Sequence, residues 1–138
     1  MHKGYTIPYF IKFFSDIPVS QWTCGALTNA EELNQGECRS MKACAMGFAG
    51  AFDVEKEEYV DDVTGEKTVE YYETCPNTPD RMKRLSQILD GNVESINDND
   101  GHEYSHLGKT PRARILKALR LRQKYGPHGY LPKNRRPE

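Results

Sequence analysis

Residues 40–52, SMKACAMGFAGAF, are the best core candidate in the chain. Met41, Cys44, Ala45, Phe48, Ala49 and Phe52 recur at helical spacing, with Ser40 placed as an N-cap. Gly47 and Gly50 lower helix propensity, so they predict close packing against another element. The next stretch changes character. In residues 54–73, VEKEEYVDDVTGEKTVEYYE, strand formers flank Asp61-Asp62 and Thr64-Gly65. That pattern predicts a β-hairpin, and its charge predicts a solvated projection from the core.

Upstream, PYFIKFFSD (residues 8–16) predicts a short helix with Pro8 in its first turn and Tyr9, Phe10, Phe13 and Phe14 on one side. Thr28 with Glu31 predicts a capped short helix. Downstream, Thr78-Pro79 opens a helix to about residue 90, and Thr110-Pro111 opens another to about Lys124. In the last helix Ile115, Leu116 and Leu119 are expected to face the body and the arginines to face out. Val93–Ile96 is expected as a short strand or extended link, and Asn97–Gly101 as a turn. The expected fold is mainly α (small α+β): four to five short helices with one projecting β-hairpin at about residues 55–73. A single compact domain is expected over residues 1–125, with the hairpin inserted at 54–73 and a basic Pro/Gly-rich tail over 126–138.

The chain has 138 residues, 37% of them hydrophobic and 28% charged. This length fits one domain. No apolar run reaches the length of a membrane helix, so no membrane partner is expected. The N-terminus has no signal-peptide layout, which favours reduced thiols over disulfides. The net charge of −1 hides a strong asymmetry. Residues 109–138 hold ten Lys/Arg against the single acid Glu138. The remainder is acidic. A basic end can fold against its own acidic body, dock an acidic protein, or neutralise phosphates.

Several constellations bear on chemistry. Cys24, Cys38, Cys44 and Cys75 contain no C-x-x-C pair, and with His2, His102, His106 and His128 they make no convincing zinc set. A cysteine nucleophile would use Cys44 with His106 and Asp98 or Asn97. Against it, Cys44 is expected some four residues into its helix on the apolar face, where a cysteine acts as a small hydrophobe. The acidic loop Asn97-Asp98-Asn99-Asp100-Gly101 fails as a calcium loop, because Ile96 and Leu107 fall at its two anchoring positions. Gly108-Lys109-Thr110 lacks the upstream glycine of a phosphate loop. Trp22 and the aromatics of residues 9–14 read as core rather than as a base-stacking platform. Tyr59, Tyr71 and Tyr72 on the hairpin read as interface anchors. No cofactor and no metal set is expected.

Trp22 with Gly25-Ala26, Cys44-Ala45-Met46-Gly47, and Asn97-Asp98 with Gly101 form a set of landmarks ahead of the helix opened by Thr110. In these residues, over about 8–122, the chain resembles a domain-of-unknown-function family of small bacterial and phage proteins. The resemblance implies a small, mainly helical cytoplasmic protein of a bacterial host cell and transfers no functional residues. The charged hairpin, residues 102–108 and the basic tail depart from the pattern. The function expected is that of a small phage or mobile-element accessory protein. It would bind a host macromolecule, most readily a host protein, and modulate it without catalysis. The alternatives are a cysteine-dependent hydrolase or transferase, and a nucleic-acid-binding factor acting through residues 109–138. The basic contact residues of that last reading are Arg112, Arg114, Arg120, Arg122, Arg135 and Arg136.

Overall fold

A computed structural model describes residues 4–37 and 40–136. His2 and Cys38 lie outside the described residues. The fold is small α+β. Among the described residues it holds six α-helices rather than four to five: α1 (Ile7–Ser15), α2 (Ala30–Asn34), α3 (Ala45–Gly50), α4 (Pro79–Ile88), α5 (Val93–Asp98) and α6 (Pro111–Tyr125). Strands β1 (Val54–Val60) and β2 (Lys67–Glu73) pair as one antiparallel hairpin, at the position the sequence predicts.

Local chemistry explains the starts of α1 and α6. Thr6 accepts from the Tyr9 amide and Thr110 from the Ala113 amide, each with a proline in the first turn. α3 begins later than the sequence periodicity indicates. The reason is tertiary: residues 42–44 are extended and bridge residues 21–29, with Thr23 N–H on Ala43 O and Cys44 N–H on Leu27 O. Helix therefore begins only at Ala45, and Cys44 rather than Ser40 is its N-cap. The predicted close approach at Gly47 is present. A Cβ there would lie 2.1 Å from the Leu27 carbonyl oxygen. Residues 93–98 are helical, not extended, because Val93 and Ile96 fall one turn apart and both enter the core.

α6 packs across α1, α5 and α3, and α3 packs on α4. Phe10 and Phe14 of α1, Leu85 and Ile88 of α4, and Ile115 and Leu119 of α6 fill the core between them. Trp22 joins it edge-on to Phe48. The stretch after Gly126 contributes as well. Tyr130 is fully buried and donates to Leu89 O at 2.8 Å. Leu131 is also buried, so the chain's own body orders this segment. No residue of the hairpin belongs to the core cluster.

Candidate functional site

Three of the four arginines of α6 do not face out. Arg112 donates to Ile17 O and Ser15 O at the end of α1. Arg122 donates to Ile88 O, the last residue of α4. Arg114 is only 5% exposed and donates to Ile96 O, Asn97 O and Gly108 O. Arg81 does the same for Phe48 O and Ala49 O at the end of α3, with its guanidinium over the Phe13 ring. Four helix C-termini thus receive an arginine from another element, where carbonyls lack intrahelical donors and the macrodipole favours a cation. Arg136 donates to Leu131 O and Gly129 O, and Arg135 pairs with Glu103. Of the six arginines expected to contact phosphate, Arg120, Arg135 and Arg136 are exposed, and among the described residues Arg120 alone of these has no protein partner. It shares the outer side of α6 with Lys117 and Lys124. The sequence does not show the roles of Arg112, Arg114 and Arg122 because their helix-end carbonyls lie far off in the chain, up to 97 positions for Arg112 and Ser15.

The thiol constellation comes together only in part. Cys44 and Asp98 line one cleft of about 210 Å³ with Gly25, Ala26, Leu27 and Glu94. His106 is absent from that lining, and its Nε2 faces Tyr130 O at 3.2 Å. Cys44 Sγ accepts from the Gly47 amide. Burial pushes the Cys44 thiol up, and Asp98 and Glu94 add to the rise. Burial and the nearby carboxylates disfavour the thiolate, and among the described residues no imidazole lines the cleft, the opposite of what activates a cysteine nucleophile. Asn97 is fully buried beneath the cleft. It accepts from Ala45 N–H and donates to Thr23 O and Asp98 Oδ1. It therefore ties together the three landmark segments around Trp22, Cys44 and Asn97, and its role is structural. His102 and His106 do not share a helical face, since residues 99–108 form turns and one 3-10 turn. Among the described residues, no three His, Cys, Asp or Glu side chains group to hold a metal. No helix among them is long and apolar enough to cross a membrane.

The hairpin is the remaining surface. Glu73 accepts from the Thr28 hydroxyl at 2.7 Å, and the Asn34 amide clamps the Tyr71 backbone. These anchors tie β2 to α2. Beyond them, Tyr59, Val60, Val63, Val69 and Tyr72 are exposed. Tyr71 is half-buried. Tyr59 donates to Glu57 and Tyr72 donates to Glu55, and these carboxylates raise both phenols above their usual range. The hairpin carries eight carboxylates against Lys56 and Lys67. The sequence flagged the tyrosines. The surrounding glutamates and the Asn34 clamp escaped notice, though setting the two strands in register would have placed Glu57 opposite Glu70.

The chain matches no protein-family model, no curated protein and no solved structure.

Proposed function

We propose that the protein is a non-enzymatic binding protein whose hairpin engages a macromolecular partner. One observation carries the reading: a projecting two-stranded element shares no residue with the core yet presents Tyr59 and Tyr72 to solvent. Exposed aromatics on a supported β-surface are the anchors that interfaces use. The resemblance to small bacterial and phage proteins makes the partner a bacterial host macromolecule that the protein modulates. The enzymatic reading loses its imidazole and its thiolate. Against the nucleic-acid reading, Arg112, Arg114 and Arg122 are engaged by carbonyls at helix ends, which leaves Arg120, Arg135 and Arg136 exposed. The test is affinity capture from a nuclease-treated bacterial lysate by the intact chain and by the variant Tyr59→Ala/Tyr72→Ala. The reading expects a protein retained by the first and lost by the second. Retention unaffected by the double substitution overturns it.

A further inference from the structure

The hairpin has a defined free edge. At its tip Asp61 N–H donates to Glu66 O, and at its base Thr74 N–H donates to Asp53 O, both at 2.9 Å. These two bonds fix the phase of the ladder. Glu55, Glu57 and Tyr59 direct their backbone polar groups at β2, and Lys56, Glu58 and Val60 direct theirs outward. On β2 the equivalent outward groups of Tyr71 are closed by the side chain of Asn34, which donates to its carbonyl and accepts from its amide. β1 has no such cover, and residues 55–60 are exposed along it. An uncovered strand edge is a template for a further strand.

The same register sorts the side chains. Glu55, Glu57, Tyr59, Thr68, Glu70 and Tyr72 share the face turned from Glu73 and its Thr28 anchor. That face holds three carboxylates and no cation. Glu57 stands directly opposite Glu70, an arrangement that weakens an isolated hairpin. Like charges set face to face make this side of the hairpin complementary to a cationic ligand.

We infer that β1 accepts an extended, positively charged segment of a partner protein as a third strand, with its Lys or Arg side chains over Glu55, Glu57 and Glu70. This rests on the hairpin reading and adds the chemistry of the partner. Backbone pairing to Lys56, Glu58 and Val60 supplies affinity. Alternate cations, with Tyr59 and Tyr72 beside them for cation–π contact, supply selectivity. A second copy is a poor occupant, because its β1 would bring the same acidic face. Nucleic acid meets the same repulsion.

The test titrates the full chain with short peptides in which Lys, Glu or Gln alternates with Val, and follows backbone amides by NMR. The Lys peptide is expected to shift Lys56, Glu58 and Val60 and to slow their hydrogen exchange, with affinity falling as salt rises. The Glu peptide is expected not to bind. Glu58→Pro removes an outward N–H and leaves the hairpin's own ladder intact, so it is expected to abolish binding. Glu57→Gln/Glu70→Gln, which does not touch the backbone, is expected to weaken binding and flatten its salt dependence. Four results overturn the inference: no binding by the Lys peptide, equal binding by the Glu or Gln peptide, shifts confined to the cleft of Glu94 and Asp98, or edge amides that shift with protein concentration alone. If lysate capture still depends on Tyr59 and Tyr72 while Glu58→Pro has no effect, the hairpin reading stands and this inference falls. Capture indifferent to the tyrosines brings down both.

Discussion

Arg114 in the body is almost wholly buried and donates to three carbonyls, whereas Glu57 on the hairpin is exposed and faces Glu70 across the ladder. The contrast runs through both regions. In the body, cations close helix ends and every buried side-chain polar atom among the described residues has a partner. On one face of the hairpin, Glu55, Glu57 and Glu70 crowd together beside Tyr59 and Tyr72, while Lys56 pairs with Glu58 on the other face. The first arrangement satisfies itself. The second leaves a charged, aromatic surface open to solvent, which is the feature on which the proposed binding role rests.

Substitutions should separate the two regions by the size of their effects on folding. Arg114→Met leaves the Ile96 and Gly108 carbonyls without a donor and the Asn97 carbonyl with only the weak Cys24 thiol, and should cost about 3 kcal/mol or more in urea unfolding. Asn97→Ala strands the Ala45 amide and the Thr23 carbonyl and should cost about 2 kcal/mol by the same measurement. The cleft it supports should also be chemically quiet: iodoacetamide at neutral pH, read by peptide mapping, should modify the exposed Cys75 well before the buried Cys44. On the hairpin, Tyr59→Ala/Tyr72→Ala should change stability by less than about 0.5 kcal/mol while removing partner capture.

The smallest effect concerns the hairpin turn. Asp61 accepts from the Thr64 and Val63 amides, and those bonds hold its carboxyl below the usual range. A depressed folded value means that the turn is stabilised above the unfolded aspartate pKa, near about 3.9, and loses that support as pH falls through the folded value. The Val63 and Thr64 amide shifts should follow this titration, and Asp61→Asn should abolish it.

The legible parts of this protein are those governed by neighbours in sequence. Pro8, Thr110-Pro111 and the alternation around Thr64-Gly65 locate two helices and the hairpin, because caps and turns act over a few residues. The start of α3 was not legible, since the bridges of Ala43 and Cys44 to residues 21–29 override the helical pattern of residues 40–44. Nor were the roles of Arg112, Arg114 and Arg122, whose partners are other helices' last carbonyls. Tyr130 reads as tail until its hydroxyl is seen on Leu89 O. The hairpin tyrosines were legible as contact residues because exposure and strand pattern are both local properties.

The most direct test of the account compares two surface variants of the full chain in one lysate capture. Tyr59→Ala/Tyr72→Ala alters the hairpin, and Lys117→Glu/Arg120→Glu/Lys124→Glu alters the outer side of α6. The account predicts that both variants fold with the helical signal of the parent, that the hairpin variant loses the captured protein, and that the α6 variant keeps it. Capture lost by the α6 variant and kept by the hairpin variant would contradict the account and return the binding role to the basic end.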